Sequence, residues 1–245
     1  MMDFNSSSSI SGQIAALVDA GMQRVRSTQT QREYLGASRL GASCERALQY
    51  EFAKAPVDDG RDHDGRLLRI FERGHVMEDC MLEWLRAAGF DLRTRKPSGD
   101  QFGFSAVGGR LQGHIDGVIV DGPEGFAYPA LWECKCLGSK SWRDLAKNRL
   151  AVAKPIYAAQ VAIYQAYLEL HEQPAIFTAI NAHTSEIYTE LVPFDAALAQ
   201  RMSDRALKVI SATDAGELLP RSFLESTHFE CRMCAWQDRC WRNTP

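Results

Sequence analysis

The chain has 245 residues, 45% of them hydrophobic and 24% charged, which is long enough for one well-filled core with at most a small satellite module. Its formal net charge of −3 and pI of about 6.1 exclude a globally basic nucleic-acid binder, although a local basic groove is compatible with a mildly acidic total. No apolar run approaches the ~20 residues of a membrane span and no basic segment precedes an apolar signal core, so the expectation is a soluble cytoplasmic protein whose seven cysteines are ligands or small core residues rather than disulfides.

Residues 1–12, serine-rich at their centre, read as a disordered tail before the helical pattern QIAALVDAGMQRV, and residues 13–245 as a single domain. SCERALQYEFA reads as a short helix with Ser43 as its N-cap and Cys44 at its start, followed by the turn-rich loop KAPVDDGRDHDG. From Leu67 to Ala88 the apolar residues Leu67, Ile70, Phe71, Met77, Met81, Leu82, Trp84 and Leu85 recur at helical spacing, and Gly89 suits the C-cap. Three strand-like runs follow, FGFSAVG, LQGHIDGVIV and ALWECKCL, with DGPEG as the turn between the last two. SWRDLAKNRLAVA and KPIYAAQVAIYQAYLEL read as two helices, the second with Pro155 in its first turn, where the missing N–H costs nothing. AIFTAINA and EIYTELV read as a hairpin around HTS, and FDAALAQRMSDRALKVISA as a helix capped by Asp195. Strands interleaved with helices indicate an α/β fold.

The run ALWECKCL sets two opposite charges in an apolar strand. Alternate side chains of a strand face opposite sides, so Glu133 and Lys135 share one face while Trp132, Cys134 and Cys136 share the other. Upstream, GHIDGVIV carries Asp116 in another apolar run. If the two runs pair, two carboxylates and an ammonium converge. The carboxylates of Asp116 and Glu133, with the backbone carbonyl of Cys134 between Glu133 and Lys135, make a hard oxygen site suited to Mg²⁺ or Mn²⁺. Lys135 can then position or help deprotonate a water and stabilise charge developing on a phosphate.

Asp116, Glu133 and Lys135 together resemble the signature of the PD-(D/E)XK nucleases. The resemblance implies a restriction-endonuclease-like core, a mixed sheet flanked by helices. In its RecB-like and phage-recombination branches it further implies an acidic or histidine metal ligand four residues after a glycine on a preceding helix. RGHVMEDC supplies Gly74 and Glu78, with His75 as the second choice. Those branches also carry a glutamine and a tyrosine four apart on the helix after the ExK strand, matched by Gln160 and Tyr164 in YAAQVAIYQAY. Similarity to YqaJ-like phage exonucleases runs from about Leu35 to Val192.

Cys231, Cys234 and Cys240 form C-x2-C-x5-C, one thiolate short of a tetrahedral site. Resemblance to the iron–sulfur exonucleases of CRISPR adaptation and to AddB-type helicase–nucleases makes Cys44 the fourth ligand, in a clasp joining the N- and C-terminal segments. Four thiolates hold either zinc or a 4Fe–4S cluster, and spacing does not choose between them; the resemblance favours the cluster. Cys80, Cys134 and Cys136 read as core. Basic residues gather around the proposed site: Arg86, Arg93, Arg95 and Lys96 before it, Lys140, Arg143, Lys147, Arg149 and Lys154 after it. Near a phosphodiester-cleaving centre they would be the footprint of a DNA groove, with Trp142 available for stacking on bases and Trp132 in the core.

The function implied is a Mg²⁺- or Mn²⁺-dependent DNA exonuclease acting in recombination and repair, phage recombination or CRISPR prespacer processing. A noncatalytic iron–sulfur DNA-binding subunit and a zinc-stabilised endonuclease are the alternatives. The implied partner is linear DNA, single-stranded or with ends, with no membrane; a homo-oligomer or a recombination or adaptation partner protein stays open.

Overall fold

The computed structural model describes residues 9–242. Residues 1–8 of the expected tail lie outside the described residues. The first helix begins earlier than the periodicity indicates, with the Ser9 side chain accepting from Gly12 N at 3.0 Å. In chain order the elements are α1 (Ile10–Ser27), β1 (Leu35–Gly36), α2 (Glu45–Phe52), α3 (Gly65–Ala87), β2 (Asp91–Arg93), β3 (Gly103–Ala106), β4 (Leu111–His114), β5 (Gly117–Asp121), β6 (Ala130–Leu137), α4 (Ser139–Ala153), α5 (Pro155–Tyr167), β7 (Ala175–Asn181), β8 (Ile187–Val192), α6 (Ala196–Asp214), α7 (Phe229–Arg232) and α8 (Gln237–Arg242). No helix among the described residues is long and apolar enough to cross a membrane.

The strands form a mixed five-stranded sheet, ordered β2-β5-β6-β7-β8, and a small three-stranded sheet, ordered β1-β4-β3. In the larger sheet only β6 and β7 run parallel, because α4 and α5 form the crossover between them. The run LQGHIDGVIV, read as one strand, is two. β4 belongs to the small sheet and β5 to the large one, and Ile115–Asp116 is the step between them. The helix carrying Cys44 is capped by Cys44 itself with no side-chain hydrogen bond, not by Ser43. Asp195 caps α6 as expected, accepting from Leu198 N at 2.8 Å.

Period-two alternation divides the core. Leu131, Leu137, Phe177, Ala179 and Val118 pack on one face with Val161, Ile163 and Tyr164 of α5 and Ala206 and Val209 of α6. Trp132, Cys134, Ile119, Ile176 and Ile180 pack on the other with Met81 of α3. Both faces of β6 are therefore covered, and Glu133 sits in the middle of the sheet with no exposure.

Two glycines seat α5. A Cβ on Gly41 would lie 2.6 Å from Ile156 Cα and 2.9 Å from Ala159 Cβ, and one on Gly113 would lie 2.5 Å from the Tyr164 ring. At Gly41 the neighbour is the backbone of α5, and at Gly113 it is the Tyr164 and Phe104 rings, so a side chain at either position would push α5 or a neighbouring ring aside.

The C-terminal segment is tied to the loop after α2. Asp58 accepts from Asp238 N at 2.6 Å and from Arg239 N at 3.2 Å, and Trp236 donates to Ala55 O at 2.9 Å. Gln49 donates to Glu217 O at 2.6 Å and accepts from Leu219 N at 2.8 Å. Hydrogen bonds thus join the N- and C-terminal segments. No group of three or more His, Cys, Asp or Glu side chains among the described residues is arranged to hold a metal ion.

Gly41→Ala should destabilise the fold by about 1–3 kcal/mol, the usual cost of overpacking. A lowered urea midpoint at unchanged slope would report it, and an unchanged midpoint would contradict the close seating of α5.

Candidate active site

The central strand explains how a carboxylate comes to be buried here. β5 pairs with β6 only as far as Gly117 opposite Trp132, so the edge of β6 beyond Trp132 lacks a strand partner on that side. Asp116, one residue before β5 begins, fills the gap with its side chain: Oδ2 accepts from Cys134 N at 2.8 Å. A residue's N–H and C=O leave an extended strand from the same edge, so the Cys134 carbonyl lies on the edge that Asp116 occupies.

Glu133 points toward α5. Lys135 Nζ and Gln160 Nε2 both donate to its Oε1, while Oε2 is buried with no hydrogen-bond partner among the described residues. Lys135 Nζ is also 4.0 Å from Asp116 Oδ2 and 5.5 Å from the Tyr157 ring centroid, a cation–π distance. Burial pushes Glu133 up to about 8, with the nearby Asp116 carboxylate adding to the rise. Burial opposes the Lys135 charge, but the Glu133 and Asp116 carboxylates outweigh it and hold the ammonium above its usual range. Burial and the Glu133 carboxylate raise the Tyr164 phenol, so it keeps its proton beside Gln160.

Glu78, on α3, joins the same electrostatic group. Burial and then Asp116 push it up to about 7. His75 is 82% exposed, its Nδ1 3.9 Å from Glu78 Oε2; Glu78 is the side chain turned to the acids. Glu78, Asp79, Thr94, Arg95, Gln101, Asp116 and Trp132 line a polar cleft of about 200 Å³.

Glu78 and Glu133, both raised by burial and then by the Asp116 carboxylate, stand with Asp116 around an orphaned buried oxygen, a hard-oxygen donor set for a divalent cation. They are not drawn to ligand distance as a group of three, and Lys135 occupies the nearer Glu133 oxygen. The donor chemistry fits Mg²⁺ or Mn²⁺, with Asp116, Glu133, Glu78 and the Cys134 carbonyl as holders.

Other expected residues fall differently. Cys134 is buried, its thiol pushed up to about 12 by burial, and is core as expected; Cys80 and Cys136 are only half-buried. Trp142 is fixed to β7, its indole N–H donating to Ala179 O at 3.0 Å, so it is a packing residue and not a free stacking platform. Of the basic residues, Arg93 pairs with Asp91, Arg86 with Glu83, Arg149 with Glu190 and Lys154 with Asp144. Arg95, Lys96, Lys140, Arg143 and Lys147 make no ion pair among the described residues and are exposed. The basic footprint is narrower than the sequence indicates, and Lys140, Arg143 and Lys147 share one face of α4.

Tyr157 and Asp79 went unread. Tyr157 lies three residues before Gln160, hence on the same helical face, and that spacing was the available signal. Asp79 directly follows Glu78 and offered no periodicity of its own.

Burial raises the thiols of Cys231 and Cys234, with Cys44 and Cys240 adding to it for both. The Arg46 guanidinium stands 3.8 Å from Cys240 Sγ, and Trp236 N donates to Cys234 Sγ at 3.4 Å. The four cysteines are thus neighbours in a partly cationic setting, without forming a ligand group.

Comparison with known proteins agrees with this architecture. The structure is similar to the alkaline exonuclease of Laribacter hongkongensis, with a TM-score of 0.51 at 13% identity over 76% of this chain and 90% of that one. It is equally similar to that enzyme in complex with dAMP, with a TM-score of 0.51 at 14% identity over 75% and 89% of the two chains. No curated protein matches the sequence. The model of the PD-(D/E)XK nuclease superfamily matches residues 13–241, nearly the whole chain and every residue of the Asp116–Glu133–Lys135 group. The chain belongs to the PD-(D/E)XK nuclease superfamily.

Proposed function

We propose that this chain is a cytoplasmic Mg²⁺- or Mn²⁺-dependent deoxyribonuclease that removes nucleotides from the ends of linear DNA during recombination, repair or spacer processing. The observation that carries the reading is the buried Glu133, its Oε1 fixed by Lys135 and Gln160 and its Oε2 without a partner, beside Asp116. The likeness of fold to an alkaline exonuclease favours action at ends.

Mg²⁺ or Mn²⁺ bound by Asp116, Glu133, Glu78 and the Cys134 carbonyl would supply Lewis acidity at the phosphate and an acidified water. The protein's own residues do the rest. Gln160 fixes Oε1 of Glu133 and so leaves the buried Oε2 as the oxygen without a partner. Lys135, held as an ammonium by Glu133 and Asp116, stabilises negative charge developing on a phosphate oxygen and orients the attacking water. Tyr164 keeps its proton beside Gln160 and adds no further negative charge to the group.

We further propose that Cys44, Cys231, Cys234 and Cys240 hold a 4Fe–4S cluster, with Zn²⁺ the competing occupant. The mutual influence of the thiols and the buried Arg46 beside Cys240 suit an anionic cluster.

Lys135→Ala should lower the Mn²⁺-supported shortening of end-labelled linear DNA by roughly 10²–10³-fold, and Asp116→Asn should do the same. Cleavage of closed circular DNA at the linear rate would mean an endonuclease; undiminished activity of both variants would sink the assignment.

Protons on Glu78 and Glu133 compete with a cation up to about pH 7 and about pH 8 respectively. Mn²⁺ affinity, read by electron paramagnetic resonance of the free ion, should therefore rise from pH 6 to pH 8 and level off above. A flat profile would place the cation elsewhere.

Protein purified without oxygen should show broad visible absorbance and contain about four iron and four sulfide per chain, both lost in Cys234→Ala. One zinc and no visible band would replace the cluster with zinc.

A further inference from the structure

A second cavity, about 460 Å³, adjoins the acidic cleft. Its size lies within the roughly 300–1,000 Å³ of small-ligand pockets. The floor is apolar, built from Phe102, Ile115, Val118, Val120, Leu168 and Leu170, and the mouth carries Arg93, Arg95 and Lys96.

The wall between cavity and cleft is one residue thick at two places. Phe102 faces the cavity while Gln101 faces the cleft, and Ile115 faces the cavity while Asp116 faces the cleft. Arg95 borders both. Hydrogen bonds stiffen the partition: Ile115 N donates to Phe102 O at 3.1 Å, and Gln101 Nε2 to Ile115 O at 3.2 Å. Arg95 Nη1 donates to Gly99 O at 2.9 Å, and a guanidinium has further donors to offer. The nearby carboxylates are already engaged, Asp91 with Arg93 and Asp100 with Ser98.

We propose that this cavity is the base pocket for the nucleotide adjoining the scissile phosphate, with Arg95 and Lys96 holding the phosphate that links them. An apolar floor with an aromatic residue takes the face of a base of any identity, and cations at the mouth match the backbone beside it. Asp116 and Ile115 are adjacent in the chain, so a strand whose phosphate lies at Asp116 has its next base at the partition. The pocket therefore grips one nucleotide by stacking without reading its sequence. The proposal rests on the nuclease reading for its substrate, but not on turnover.

The test is an abasic scan. Fluorescent DNA 16-mers, single-stranded and duplex, would carry one abasic residue stepped through the first four positions from each end, with affinity read by anisotropy in Ca²⁺. The wild-type protein should lose about tenfold in affinity at one position. Val120→Trp, which fills the cavity, should weaken intact DNA by a similar factor and lose the dependence on position; Leu170→Trp serves if the first variant does not fold. Lys96→Glu should weaken intact and abasic DNA equally. A flat scan in the wild type, or an unchanged positional loss in the filled variant, would overturn the pocket. Parallel Mn²⁺ digests separate the two readings. Lys135-dependent cleavage with a flat scan removes the pocket alone. A positional scan without cleavage removes the catalytic reading alone, and absence of DNA binding removes both.

Discussion

The site depends on keeping an ionisable carboxylate, Glu133, in the centre of a sheet covered on both faces. Burial of an unpaired charge is among the costliest things a fold can do, and breaking a buried pair typically costs about 3–5 kcal/mol. The chain answers with a lysine two residues later on the same face and an amide from α5, both on one oxygen. The other oxygen is left without a partner. A fold selected only for stability would have no reason to leave it so, because an apolar pair of similar volume satisfies the same space.

That arrangement reaches into the architecture on either side. Gln160 meets Glu133 only because α5 lies close, and α5 lies close because Gly41 and Gly113 give it room. Asp116 meets the edge of β6 only because the chain leaves the small sheet after His114 and enters the large one at Gly117. A continuous strand there would have paired with Cys134 through its backbone and kept Asp116 out of that position. The break between β4 and β5 thus creates both the acidic cleft and the thin partition behind it.

Much of the centre was legible from local pattern. Alternation in ALWECKCL put Glu133 and Lys135 on one face and Trp132 and Cys134 on the other, which the two core clusters bear out. The four-residue spacing of Gln160 and Tyr164 put both on one side of α5, and Asp195 announced its helix. What escaped was non-local. In LQGHIDGVIV the alternation of the first half gives way to the continuous apolar run of the second, but no turn residue pair separates the two strands. Arg149 looks free in the sequence because its partner Glu190 lies 41 residues away. The joining of the ends was anticipated through cysteines; what escaped is that hydrogen bonds through Asp58, Gln49 and Trp236 also make it, residues without a distinctive spacing.

The distribution of charge shows how such a site can accept a polyanion. Glu78, Asp116 and Glu133 face a single ammonium, and burial raises the pKa of two of the three acids. An approaching phosphate would meet repulsion there unless a cation stood between. The unpaired basic residues stand outside this group, Arg95 and Lys96 on the link between β2 and β3 and Lys140, Arg143 and Lys147 on α4, directly after the strand that carries Lys135. In the proposed nuclease, cations at the periphery would attract the backbone, and acids at the centre would admit the reacting phosphate only together with a divalent ion. On the proposed reading attraction and chemistry fall to different residues, so that loss of a peripheral lysine would weaken capture of the strand while loss of Lys135 would remove a charge at the reacting phosphate.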